Sequence, residues 1–233
     1  MRVLAIDTSS EIGAVALVED GELRASLQAR VQAQHGETLL PHVERVLALA
    51  DTSIAQLELL AIGLGPGSFT GVRIGVATVK GLALAHGTPM VGVRTSRVLA
   101  RASSGALRLV AIDAKKDEVF VAAYRATERG LEPVLEDAHG SPSEVARALA
   151  AIALESRLPT SLIGSGLALH RATFVAALTP IASLTIEPMV LAAPSAALLA
   201  QEAVETHARR GPDDPSALVP IYVRGADAKL PGT

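Results

Sequence analysis

Leu4-Ala5-Ile6-Asp7 recurs 106 residues later in the chain as Val110-Ala111-Ile112-Asp113. Each copy is followed by a polar turn and a second apolar run, at residues 13–18 after the first copy and 118–124 after the second. A glycine-containing turn signal then leads in both cases to a third run. The repeated order of elements predicts two lobes, each of which opens with a three-stranded antiparallel meander.

The segments after each meander alternate between helical and strand patterns. In the first lobe, apolar residues at helical spacing predict a helix over 35–51, and the apolar run 57–64 predicts a buried strand. A second helix over 71–85 and a strand over 90–93 follow, which is typical of parallel strands with right-handed crossovers. For the second lobe the pattern predicts a helix from Ser141 to 153, a strand over 160–164 and a helix over 194–208.

These elements predict an α/β protein made of two lobes. Ser103-Ser104-Gly105 interrupts the periodicity, so we place the boundary there and expect an N-terminal lobe over 1–102 and a C-terminal lobe over 103–233.

Composition narrows the classes of function. The 233 residues are 49% hydrophobic and 19% charged, which excludes intrinsic disorder. A net charge of −3 supplies no electrostatic attraction that would let the chain bind nucleic acid unaided. The lack of cysteine excludes thiol catalysis and Cys-ligated metals. The apolar start, residues 3–6, is too short for a secretory or membrane-spanning segment. We expect a cytoplasmic protein with no membrane association.

A glycine-rich loop, residues 63–71, lies between a predicted strand and a predicted helix. The free amides of such a loop and the helix N-terminus can bind an anion, and Gly65 and Gly67 permit the unusual backbone that this requires. The alternative is a tight turn in which Ser68 caps the helix. The loop lacks the Lys-Ser/Thr that follows the last glycine of a phosphate-binding P-loop.

The polar turns that begin at Asp7 and at Asp113 offer a second candidate site. Two such turns that face each other across a two-lobed fold can hold a nucleotide, ATP or ADP, with its magnesium ion. Ordinary turn chemistry explains the same residues. Together with the glycine loop, the candidate nucleotide-binding set is Asp7, Thr8, Ser9, Gly65, Gly67, Ser68, Asp113, Gly164 and Gly166.

None of the six histidines forms a metal-binding pair at i, i+4 spacing, so we expect no metal site. Gly75 and Gly81 lie in the second predicted helix, where glycine is costly unless another element approaches closely. That element is either a partner protein or the first helix of the same lobe.

Four stretches together resemble the TsaB family of tRNA threonylcarbamoyladenosine synthesis, over nearly the whole chain. They are Leu4–Ser9, Gly65–Arg73 (GPGSFTGVR), Ala111–Ala114 with Glu118-Val119, and the tail Pro220–Arg224 with Lys229–Gly232. The resemblance implies a two-lobed actin/Hsp70-like (ASKHA) fold, in agreement with the repeated meander.

The resemblance also implies a role. It implies a subunit without catalysis of its own, which forms a homodimer in isolation and pairs with the catalytic relative TsaD and the ATPase TsaE. The complex transfers a threonylcarbamoyl group to adenosine 37 of tRNA, and the chain would meet tRNA only through the complex. The catalytic relative binds metal through His-x-x-x-His, and the corresponding stretch here, 92–100, has no histidine.

Within that family the first two helices form the dimer surface. The partner surface expected here therefore consists of His35, Leu39, Val43, Val46, Phe69, Val72, Arg73, Gly75, Val76 and Val79. The alternative function is an ATP-dependent small-molecule kinase or ATPase of the same fold. A free-standing protease lacks a convincing Ser/His/Asp set.

Overall fold

The computed structural model describes residues 1–31 and 35–223, without the side chain of His35. It contains two five-stranded sheets with the same strand order. The first sheet has the order β3-β2-β1-β4-β5. Its strands are β1 (Arg2–Asp7), β2 (Ile12–Glu19), β3 (Glu22–Arg30), β4 (Leu59–Gly63) and β5 (Met90–Val93).

The second sheet repeats this arrangement. It is built from β6 (Leu107–Lys115), β7 (Glu118–Thr127), β8 (Gly130–Gly140), β9 (Thr160–Ile163) and β10 (Leu184–Ile186), in the order β10-β9-β6-β7-β8. In each sheet the first three strands are antiparallel and the last two are parallel to the first. The predicted meanders and the two-lobed α/β class are confirmed.

Helices cover both faces of each sheet, because strands with buried residues on both faces need apolar partners on both sides. In the first lobe, α1 (His35–Leu49) and α2 (Phe69–His86) pack on one face. In the second lobe, α4 (Pro142–Ser156) and α5 (Leu167–Leu178) take the same place. The Ser141 cap predicted for α4 is present as a capping box with Glu144.

The remaining two helices cross between the lobes. α3 (Thr95–Arg101) follows the first sheet but packs on the second, where Leu99 joins the core. α6 (Ala196–Arg210) follows the second sheet but packs on the first, through Leu199 and Ala203. The division expected from the sequence groups α6 with residues 103–233, whereas the helix packs on the first sheet. The division at residue 102 otherwise stays a prediction.

Candidate functional site

The turn between β1 and β2 holds the first candidate nucleotide residues, and they are buried. Asp7 is fully buried; its Oδ1 accepts hydrogen bonds from the Ser9 amide at 2.8 Å and the Ser9 hydroxyl at 2.6 Å. Its Oδ2 accepts one from the Thr95 hydroxyl at 3.0 Å. Both carboxylate oxygens of Asp7 therefore accept hydrogen bonds from within the protein. Thr95, which bonds one oxygen, is the first residue of the helix that follows β5, and Ser9, which bonds the other, lies in the β1–β2 turn.

The glycine-rich loop packs directly on this turn. The Ser68 amide donates to the Ser9 carbonyl at 2.6 Å, and a Cβ on Gly67 would lie 2.1 Å from the same oxygen. The Thr8 hydroxyl donates to the Gly71 carbonyl at 2.7 Å. The Ser68 hydroxyl accepts from the Gly71 amide and so caps α2. These contacts support the tight-turn interpretation; anion binding by the loop stays a prediction.

The turn between β6 and β7 faces the first turn across the lobe junction. The Lys115 ammonium lies 2.9 Å from Asp113 Oδ2 and 3.0 Å from Glu11 Oε1 in the other lobe. Hydrogen bonds to Asp113 and then Glu11 raise the pKa of Lys115, and the bond from Lys115 lowers the pKa of Glu11. An ion pair therefore links the two turns where a nucleotide is expected.

The two glycines after β9, Gly164 and Gly166, pack closely against the backbone of β6. A Cβ on Gly164 would lie 2.1 Å from the Ala111 carbonyl oxygen, and one on Gly166 would lie 3.1 Å from it. The Gly166 amide donates to the same carbonyl at 3.0 Å. Close packing against β6 thus requires glycine or another small residue at these two positions, whether or not a nucleotide binds.

A second set of contacts, which sequence reasoning missed, joins the lobes on the opposite side. Arg94 lies 2.5 Å from Asp137 on β8, and burial raises the pKa of that carboxyl. Arg97 binds Glu202 at 2.6 Å and the Leu131 carbonyl at 2.7 Å. A cavity of about 230 Å³ lies among these arginines. Since the partners are more than 30 residues apart in sequence, no local motif signals them.

The predicted partner surface is largely wrong as a surface. Most of its residues form the core of their own lobe: Leu39, Val43, Val46, Val72, Gly75, Val76 and Val79 are buried. Gly75 is approached by Thr8, whose hydroxyl would lie 2.3 Å from a Cβ at that position. The element that approaches Gly75 is thus within its own lobe, but it is the β1–β2 turn and not the first helix, and changes such as Gly75→Glu or Val79→Asp would disrupt the lobe itself.

Other residues of the same two helices are exposed. Phe69 and Arg73 lie at the start of α2, and Leu40 and Leu84 are 49% and 75% exposed. Between α1 and α2 lies a groove of about 470 Å³ lined by Leu40, Val43, Glu44, Leu47, Ala48, Thr52, Ile54 and Leu82. Leu40 is in helical phase with Val43 and Leu47, which line the same groove, so no signal in the sequence marks it as exposed. The side chain of His35 lies outside the described residues.

Among residues 1–31 and 35–223, no three His, Asp or Glu side chains are grouped as metal ligands would be. In the same part of the chain, no helix has the length and apolar character needed to cross a bilayer. The tail from Arg224 onward, which contributes to the resemblance, lies outside the described residues.

The paired sheets with crossing helices define a two-lobed α/β protein of the actin/Hsp70-like class. The ROK hexokinase from Thermus thermophilus shares this fold, with a TM-score of 0.53 and 15% identity over 88% of this chain and 99% of that one. The structure of YeaZ from Pseudomonas aeruginosa is much more similar. Its TM-score is 0.77, with 29% identity over 95% of this chain and 99% of that chain.

Sequence comparison identifies the family. The family model described as TsaD, tRNA N6-adenosine threonylcarbamoyltransferase, matches residues 29–230. An uncharacterized protein of Mycobacterium bovis is 32% identical over 97% of this chain and 93% of its own length. The tRNA threonylcarbamoyladenosine biosynthesis protein TsaB of Escherichia coli is 44% identical over 56% of this chain. The chain therefore belongs to the TsaB branch of the TsaD family, a family of tRNA threonylcarbamoyladenosine biosynthesis.

The alignments with curated TsaB proteins are partial. The chain spans 58% of the Escherichia coli protein and 52% of the Haemophilus influenzae protein. The resemblance to the TsaB family is confirmed at the level of family.

Proposed function

We propose that this chain is a non-catalytic subunit that binds a TsaD-like catalytic subunit and is required for its modification of adenosine 37 in tRNA. A TsaE-like ATPase completes the assembly, tRNA meets the chain only through the complex, and the complex works in the cytoplasm. Membership of the TsaB branch supports this role, since curated members are named for the biosynthesis of threonylcarbamoyladenosine.

The apolar groove between α1 and α2 is the observation that carries the proposal. Leu40 at its rim is half exposed, and Val43, Leu47 and Leu82 add apolar side chains to its lining. Exposed apolar side chains in one patch are typical of an interface. In isolation the same patch would pair with a second copy of the chain, and the catalytic subunit would replace that copy.

The support for a non-catalytic role comes from Asp7. A magnesium-binding aspartate needs an oxygen available to the metal or its waters. Here the Asp7 oxygens accept hydrogen bonds from Ser9 and Thr95, and Lys115 links the facing turns.

The test is co-purification with the TsaD-like subunit, followed by a tRNA modification assay with and without the chain. Leu40→Glu places a charge at the groove and should weaken the complex about tenfold or more, because a charge cannot be desolvated against apolar partners. Leu169→Glu is the matched control, since Leu169 is 71% exposed on α5 in the other lobe. Equal affinity of both variants, with unchanged thermal stability, would exclude the groove as the interface.

The kinase or ATPase alternative rests on the two facing acidic turns, with Asp7 in one and Asp113 in the other. It predicts ATP hydrolysis by the purified chain alone, abolished by Asp7→Ala. We expect no hydrolysis above background; turnover that depends on Asp7 would establish the alternative instead.

A further inference from the structure

Two of the few aromatic residues in this chain lie together on its surface. The chain has three Phe, two Tyr and no Trp. Phe120, Tyr124 and Phe174 are buried, whereas Phe69 is 46% exposed and Tyr222 is 49% exposed. The rings of Phe69 and Tyr222 lie 5.5 Å apart, although the two residues are distant in sequence.

Arg73 lies over the Phe69 ring, beside Tyr222, and both aromatic residues orient it. Its guanidinium carbon is 3.6 Å from the centre of the Phe69 ring and 5.4 Å from that of Tyr222. Its Nε–H donates to the Tyr222 hydroxyl at 2.8 Å. A guanidinium stacked on an aromatic ring and fixed through Nε has lost most of its rotamer freedom before any partner arrives.

The C-terminal segment that carries Tyr222 is itself anchored. Leu218 lies in the core of the first lobe, and the Ile221 amide donates to the Leu64 carbonyl at 2.9 Å. Tyr222 is therefore positioned by the backbone next to the glycine-rich loop, which explains how a residue 149 positions away orients Arg73.

Within the part of the chain that the structure describes, the positive charge of Arg73 is not balanced by a carboxylate. Among the described residues, no carboxylate lies within ion-pair distance of Arg73, and its two terminal nitrogens make no hydrogen bond. The first turn of α2 contains no acidic residue. In contrast, Arg94, Arg97 and Arg101 each bind a carboxylate.

We propose that Arg73, oriented by Phe69 and Tyr222, is a docking point for a side-chain carboxylate of the partner subunit. The terminal nitrogens of a guanidinium match a carboxylate in a bidentate pair, and the exposed ring faces contact the apolar part of the same acidic side chain and its neighbours. Aromatic residues and arginine also carry much of the binding free energy at protein interfaces.

A protein carboxylate fits this surface better than an RNA phosphate. Binding of a polyanion needs several cations along its track. Besides Arg73, α2 carries Lys80, which lies near Asp214; hydrogen bonds from Ser216 and then the charge of Lys80 lower the pKa of that carboxyl. The exposed residues that continue along the helix from Arg73 are small or apolar, namely Ala77, Gly81 and Leu84.

The inference rests on the proposed function, and the experiment separates the two. The dissociation constant of the complex with the TsaD-like subunit is measured for the wild-type chain, Arg73→Gln, Arg73→Lys and Arg73→Glu. Arg171→Gln is the control, because Arg171 is likewise the exposed fifth residue of a helix, α5, in the other lobe.

We expect Arg73→Gln to weaken binding about tenfold, as loss of an interfacial charge pair does, and Arg73→Glu to weaken it further through repulsion. Arg73→Lys keeps the charge but not the planar fork and should lie between the wild type and Arg73→Gln. Arg171→Gln should bind as the wild type does. The wild-type affinity should also fall more steeply with salt than that of Arg73→Gln.

Failure of the wild-type chain to bind overturns the proposed function and this inference with it. Equal binding by the wild type and Arg73→Gln overturns the inference alone. Equal losses for Arg73→Gln and Arg73→Glu show that no carboxylate faces Arg73. Unchanged protein affinity together with weaker tRNA binding by the assembled complex assigns Arg73 to an RNA phosphate, which also overturns it.

Discussion

At the scale of single residues, the two glycines inside α2 have opposite surroundings. A Cβ on Gly75 would lie 2.3 Å from the Thr8 hydroxyl and 3.0 Å from Ile62, whereas nothing lies within 4 Å of a Cβ on Gly81. The space at Gly75 is needed because Thr8 reaches under the helix to bond the Gly71 carbonyl. Gly75 thus allows the β1–β2 turn to contact α2, and Gly81 has no such constraint.

Substitution by alanine should therefore change stability in opposite directions. Gly75→Ala should lower the free energy of unfolding by about 1–3 kcal/mol, because the added methyl displaces Thr8 or shifts the helix. Gly81→Ala should raise it by about 0.5–1 kcal/mol, because alanine restricts the unfolded chain and favours the helix. Urea denaturation of both variants measures the difference, and a stabilising Gly75→Ala would contradict the assignment of Gly75 to the core.

These glycines also show which contacts could not be predicted from the sequence. The pattern of α2 places Gly75 on the core face, three residues after Val72 and four before Val79, but it could not show that Thr8 of the β1–β2 turn is the close neighbour. The neighbouring valines do show a phase: Val72, Val76 and Val79 repeat at three and four residues and lie in the core. Because that face belongs to the sheet, an interface on α2 has to use the exposed residues of the helix, which include Phe69 and Arg73.

At the scale of elements, α6 shows a different limit of prediction. Its existence follows from the sequence, while the structure shows that Ser195 caps it through the Leu198 amide. Its apolar face, however, fits any apolar sheet. Only the three-dimensional arrangement places that face on β1, β2, β4 and β5 of the first lobe.

The first lobe should depend on α6 for stability. Leu199 is completely buried against the first sheet, so Leu199→Ala should lower the free energy of unfolding by about 2–5 kcal/mol. Leu169→Ala, the same change at an exposed site on α5, should alter it by no more than about 0.5 kcal/mol. Thermal or urea unfolding compares them. If Leu199→Ala proves as mild as Leu169→Ala, α6 does not complete this core.

At the scale of the whole molecule, the lobes are joined on both sides of their junction. Lys115 pairs with Glu11 on one side, and both of these side chains are exposed. On the other side, Arg97 on α3 binds Glu202 on α6 and the Leu131 carbonyl on β8. Because α3 and α6 each cover the sheet of the opposite lobe, this second set of contacts connects both cores.

Glu202 is the centre of that connection and supplies the last prediction. It is fully buried and lies 2.6 Å from Arg97 and 2.9 Å from Arg101. Glu202→Ala leaves two largely buried guanidinium groups without this counter-charge, which should lower the free energy of unfolding by about 3 kcal/mol or more. Glu205 also pairs with Arg101, but its side chain is 44% exposed. Glu205→Ala should therefore cost about 1 kcal/mol or less.

Calorimetry checks both the size and the cooperativity of the effect. The wild type should unfold in one transition, because the crossed helices make each lobe's core depend on an element from the other. Glu202→Ala should lower the midpoint of that transition far more than Glu205→Ala does. If Glu202→Ala instead leaves the midpoint unchanged, the crossed helices are held by their apolar faces alone, and the ion pairs at the junction contribute no stability.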